Sequence, residues 1–240
     1  MLKQIMLVWV CLFALTGQAK ADSLTDAQNA YAAGDYANAE KLFRPLAERG
    51  NASAQHNMGK MYYLGQGVSQ DYIGAMKWSR LAADQGNPLA QHNLGVMYYL
   101  GQGVPVDNKE AAKWFRLAAE QGNASAQNNL GKMYYLGQSV TQDFKEAAKW
   151  FQLAAEQGHS KGQVELGVMY MLGQGVPEDN VRAYMWVSLA IANDSAIQKN
   201  FTEIRVTYLR DAIANRMTAN QIAEAQERAG KCTENKFKGC

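Results

Sequence analysis

Apolar side chains recur along this chain in two alternating helix-length patterns, and the pair repeats every 36 residues. In one pattern Leu94, Met97 and Tyr98 fall on a single face; in the other Ala75, Trp78 and Ala82 do so by their i, i+3, i+7 spacing. The frame is counted on Gly59, Gly95, Gly131 and Gly167, which open the strings GKMYYLGQG, GVMYYLGQG, GKMYYLGQS and GVMYMLGQG. Trp78, Trp114, Trp150 and Trp186 keep the same period. Each repeat therefore predicts two helices, here called A and B.

Start and stop signals bound them. Helix A opens at Asn51, Asn87 or Asn123, whose side chains can accept from the orphan N–H groups of a first turn, and Pro88 stands where a helix tolerates proline. It ends at the Gly-Gln-Gly turn, where Gly65, Gly101 or Gly173 can take positive φ. Helix B starts at Asp71, Asp107, Asp143 or Asp179 and closes at Gly86, Gly122 or Gly158. Glu110 and Glu146 lie three residues after Asp107 and Asp143, which predicts reciprocal capping boxes. Ser139 replaces the second turn glycine of one repeat, and that turn is expected to be looser. Residues Tyr36 to Gly50 align with the Trp-bearing strings and read as helix B of a divergent first unit; its helix A falls roughly at Ser23 to Ala33. Beyond Asn193 the period fails, and Phe201 to Arg228 predicts a helical cap broken near Met217, with Thr218 starting the last helix.

One such helix pair cannot bury its own apolar face, whereas stacked neighbours share a continuous core, so the repetition itself predicts an all-α solenoid of about five repeats. The pattern small-Gln-x-x-Leu-Gly-x-x-Tyr, then Gly-x-Gly-Val, Asp, Ala and Trp-x-x-x-Ala-Ala-x-x-Gly, resembles the Sel-1-like repeat family, relatives of the tetratricopeptide repeats, over roughly residues 28 to 193. The resemblance implies a right-handed superhelix with helix A on the concave side, in proteins that are mostly adaptors and scaffolds, many of them exported by bacteria. The tail RDAIANRMTANQIAEAQ is also similar to the C-terminal segment of bacterial members.

The ends and the charge refine this picture. Met1, Lys3, the apolar run Ile5 to Leu15 and Ala19-Lys20-Ala21 have the anatomy of a signal peptide, so residues 1–21 are expected to be removed, 22–193 to form the solenoid and 194–240 the cap and tail. The expected location is periplasmic or secreted. The apolar run is short of the ~20 residues that span a bilayer, so no integral membrane segment is expected after cleavage. In an oxidising compartment Cys232 and Cys240 are most simply a disulfide closing a small loop. Cleavage removes Lys3 and Lys20 and no acid, which leaves basic and acidic side chains in balance and argues against nucleic acid as a partner.

With the core positions subtracted, helix A keeps a face that the motif does not dictate. His56, Lys60 and Tyr63 share a stripe with Asn57 beside it. The corresponding columns bring His92, Asn93 and Tyr99, then Asn129, Lys132 and Tyr135. Tyrosine supplies contact area at low entropic cost and asparagine both donors and acceptors, so this stripe is the candidate surface for a protein or peptide. His56 and His92 form no metal site by this reading, since packed helices lie about 8–10 Å apart and no third ligand is evident; His159 sits at an inter-repeat turn and reads as a cap. No cofactor-binding or catalytic motif is present: no Ser-x-x-Lys, no Gly-x-Ser-x-Gly, no His-Glu-x-x-His and no phosphate-cradling Gly-Lys-Ser/Thr. Cysteine-rich Sel-1-like proteins are credited with penicillin-binding or β-lactam-hydrolysing activity, but the repeats here contain no cysteine. The expectation is a non-enzymatic adaptor, whether an envelope scaffold, a host-directed factor or an inhibitor of an incoming toxin.

Overall fold

A computed structural model of the protein describes residues 23–193 and 201–240, with side chains from residue 205 in the second stretch. The expected signal segment and the junction between repeats and cap fall at residues outside that description. Every regular element among the described residues is a helix. They are α1 (23–32), α2 Tyr36–Glu48, α3 Ala52–Leu64, α4 Tyr72–Asp84, α5 Pro88–Leu100, α6 Asn108–Glu120, α7 Ala124–Leu136, α8 Phe144–Ala155, α9 Ser160–Leu172, α10 Asn180–Asn193, α11 Phe201–Ala214 and α12 Ala219–Glu234. Odd numbers to α9 are helices A, and even numbers to α10 are helices B. The described residues fall into two compact units, one ending at Asp107 and the other beginning at Asn108. Successive helices pack on one another from α2 to α5 in the first and from α6 to α10 in the second, as repeat stacking requires. None of the described helices is long and apolar enough to cross a membrane.

The predicted caps form. Asn51, Asn87 and Asn123 accept from the N–H groups of Ala54, Ala90 and Ala126 at 2.9, 3.0 and 2.9 Å. His159 does the same for α9 through Nδ1, accepting from Gly162 N at 3.1 Å. Asp71, Asp143 and Asp179 accept from Ile73, Lys145 and Arg182, each at 2.9 Å. The expected capping box at α8 is only half made. The Asp143 N–H donates to the carbonyl of Tyr134 at 3.0 Å, so Glu146 has no amide to accept from and pairs with Lys149 at 3.2 Å instead. Asp107 N–H is likewise committed to the Tyr98 carbonyl at 3.0 Å, and Glu110 turns to Lys113 and to the Trp114 indole N–H. A complete box occurs at Thr218, whose partner is Gln221.

The motif glutamine proves structural. Gln55 Nε2 donates to the Ala47 carbonyl at 3.0 Å while its Oε1 accepts from Gln85 at 2.7 Å. In the second unit Gln127 makes the same pair of bonds, to Ala119 and from Gln157, at 3.1 and 2.7 Å. A buried amide satisfied at both ends ties the last turn of one helix B to the next repeat without an unpaired polar group. At the far end α11 and α12 pack on α10, and Val206, Ile213, Ala225 and Cys232 join the core that holds Trp186. Cys232 and Cys240 are joined as a disulfide, with Cα atoms 5.6 Å apart. The loop they close lays Phe237 against Gly158, where a β-carbon would come within 3.0 Å of the ring.

Candidate functional site

Helix A of the second and third repeats, α3 and α5, flank α4 in the first unit, and a cavity of about 420 Å³ opens among them. Five of the sequence-derived residues meet there: His56, Lys60 and Tyr63 from α3, His92 and Asn93 from α5. Apolar wall comes from Leu64, Leu89, Val96 and Met97, and Gly59 and Ser79 complete the lining. Leu64 and Leu89 remain 47% and 52% exposed at its rim.

The other expected residues have different surroundings. Asn57 does not line the cavity; its amide donates to the Ser53 carbonyl one turn back at 2.9 Å. Tyr99 lies outside the lining as well. In the second unit Lys132 is exposed and Asn129 half-buried. Tyr135 O–H donates to Gln174 at 2.9 Å, and Tyr63 O–H to Gln102 at 2.6 Å. Tyr31 makes the corresponding bond to Gln66. The second tyrosine of the Tyr-Tyr pair thus joins the middle residue of the next Gly-Gln-Gly turn, a fold-building use that leaves its ring, and not its hydroxyl, to face a ligand. The first tyrosine is held by arginine: Arg44 donates to Tyr62 at 3.1 Å and Arg182 to Tyr170 at 3.2 Å.

Two polar atoms at one repeat position stand out. His56 Nδ1 in the first unit and Asn128 Oδ1 in the second are buried without a hydrogen-bond partner. Burial first, then the charges of Lys60 and His92, push the His56 pKa from 6.5 down to about 4. Lys60 itself sits over the Tyr31 ring, its Nζ 4.7 Å from the centroid. In the second unit burial raises the pKa of Glu165, and Lys132 pulls it back.

The histidine has a measurable consequence. A folded-state pKa below the unfolded one means that the unfolded chain binds more protons between pH 4 and 6.5, so stability rises with pH across that window. The contribution is complete above about pH 6.5 and fades as pH falls towards 4; at roughly 1.4 kcal/mol per unit it is at most about 3 kcal/mol. Denaturant unfolding at a series of pH values should show this slope in the wild type and a flatter one in His56→Gln. Equal slopes in both would remove the buried, neutral imidazole from the account.

Sequence reasoning missed Leu64, Leu89 and Ser79. The last two carried a signal, because each departs from its own column. Leu89 stands where the other repeats have Ser53, Ser125 and Lys161, and Ser79 where they have Phe43, Phe115, Phe151 and Val187. Among the described residues no group of three or more His, Cys, Asp or Glu side chains could hold a metal ion.

The Sel1 repeat family model matches four times, at residues 52–87, 88–123, 124–159 and 160–195. A Sel1 repeat protein from Oxalobacter formigenes of known structure is 35% identical with a TM-score of 0.63, over 72% of this chain and 49% of that one. A protective antigen present in uropathogenic Escherichia coli strains, displaying an SLR fold, is 27% identical with a TM-score of 0.50, over 84% of this chain and 58% of its own. The chain thus spans about half the length of these two solved relatives. No curated protein matches. Four consecutive matches on the helix pairs described above place the chain in the Sel1 repeat family, whose repeats mediate protein interactions.

Proposed function

We propose that this protein is a non-enzymatic interaction scaffold of the bacterial envelope, and that it holds a protein or peptide on the helix-A face of its repeats. The observation that carries the reading is the open cavity of the first unit, where His56, Lys60, Tyr63, His92 and Asn93 converge over an apolar wall. Concave, mostly apolar lining with a few placed polar groups is the usual character of a binding site. Export, by the signal anatomy of residues 1–21, agrees with the tail disulfide, a bond that persists in oxidising compartments.

The test uses the exposed rim. Leu64→Glu combined with Leu89→Glu should leave helicity and thermal unfolding unchanged, because both side chains are about half exposed. The double variant should lose most of its partner recovery from native envelopes, whereas Lys77→Glu on the exposed side of α4 should retain it. Equal recovery by both variants would remove the cavity from the binding surface.

A further inference from the structure

Lysine stands at the same position of one helix A in each unit, Lys60 on α3 and Lys132 on α7, and valine takes that position on the next helix A in both, Val96 on α5 and Val168 on α9. Three residues before the valine the two units part. The second has Glu165, the first Asn93. In the second unit the lysine therefore has a carboxylate of its own chain in its field: burial raises the Glu165 pKa, and the Lys132 ammonium draws it back. In the first unit no such carboxylate is supplied. Lys60 and Asn93 both line the cavity, and among the described residues none lining it is acidic. Lys60 forms no ion pair among the described residues; its Nζ rests 4.7 Å from the centroid of the Tyr31 ring.

A second exchange lies one turn away on the same helix face. Where α9 carries Lys161 and Glu165, α5 carries Leu89 and Asn93, so both charges of that pair give way to uncharged side chains. Leu89 stands at the rim with Leu64, each about half exposed. Lys60 and Asn93 are half-buried beside them. A charge in such a place is screened less than one on the open surface, and an ammonium and an amide N–H both donate to carboxylate oxygens. The mouth of the cavity thus sets two donors next to two aliphatic side chains.

We propose that this mouth binds a segment of a partner protein that presents glutamate beside leucine. The guest carboxylate meets Lys60 and the Asn93 amide, in the role that Glu165 plays in the second unit, and the guest leucine lies on Leu64 and Leu89. This chemistry rests on the helix-A face being the binding surface and specifies what that face selects.

Titration calorimetry on the full chain tests it with end-capped Ala-Leu-Glu-Leu-Ala, Ala-Leu-Gln-Leu-Ala and Ala-Ser-Glu-Ser-Ala peptides. The leucine-glutamate peptide should bind about fivefold more tightly than its glutamine counterpart at low salt, the upper end for an ion pair near a surface. That difference should shrink at high ionic strength. The serine peptide should bind more weakly than the leucine one at every salt concentration, because the apolar contact is not screened. Asn93→Glu restores the residue of the second unit; its carboxylate then engages Lys60, and the preference for glutamate over glutamine should vanish with thermal unfolding unchanged. Should that variant unfold early, Lys60→Gln gives an independent reading and should likewise equalise the two peptides. A preference retained in Lys60→Gln, or none in the wild type, overturns the proposal. Partner recovery separates the two levels. Recovery lost in the Leu64→Glu, Leu89→Glu variant but kept in Asn93→Glu and Lys60→Gln retains the helix-A face and rejects the carboxylate; recovery kept in all three rejects the face as well.

Discussion

Trp186→Ala should destabilise the second unit by about 3–5 kcal/mol, the range for truncating a fully buried aromatic side chain. Trp186 is only 1% exposed and packs in the core that also holds Phe151, Leu166 and Met169 of the repeats and Val206 and Ile213 of the cap helix. Its loss leaves a cavity at the junction where stacking ends, so neighbouring repeats cannot close over it and the terminal cap loses the surface it covers. Chemical denaturation should show the midpoint falling for the transition that reports α8 to α12. Trp78, at the same repeat position in the first unit, is half-buried, and Trp78→Ala should cost visibly less. Similar costs for the two tryptophans would contradict the assignment of Trp186 to the central core.

Gly175→Ala is the second large effect. Gly175 adopts φ +72°, and a β-carbon there would lie 2.1 Å from the carbonyl oxygen of Phe144. The obstacle is backbone at the start of α8, which cannot rotate aside as a side chain would. The left-handed conformation costs an alanine about 1–2 kcal/mol and the crowding about 1–3 kcal/mol more, so a loss of about 2–5 kcal/mol is expected in the same unfolding experiment. Ser139 occupies the equivalent turn one repeat earlier with φ +56° and already bears part of this burden. Ser139→Gly should therefore stabilise the protein by about 1 kcal/mol. A neutral Gly175→Ala together with a destabilising Ser139→Gly would reverse the account of this turn.

The helices and their ends were legible because they depend on local chemistry repeated in register. Asparagine, aspartate and glycine each act within a few residues of where they stand, and four copies show the period without any partner. The capping boxes at α6 and α8 were misread for the opposite reason: the amides of Asp107 and Asp143 are taken by carbonyls of the preceding helix A, long-range bonds that no local spacing shows. The helix-A face was legible as a stripe, and five of its residues do line one cavity. The tyrosine column was read as surface, whereas the hydroxyls of Tyr63 and Tyr135 secure the next turn. The residues that complete the cavity depart from the repeat, so the period does not reveal them. Ser79 and Leu89 break their columns, and only the packing of α3, α4 and α5 brings the two to one cavity.

The central claim, that the helix-A face of the first unit is where a partner sits, is tested most directly by site-specific photocrosslinking in intact cells. A benzophenone amino acid placed at Val96, on the cavity wall, should give a discrete adduct with a partner protein, and the same probe at Lys77, exposed on α4, should give none. An adduct from position 77 with none from position 96 would contradict the account.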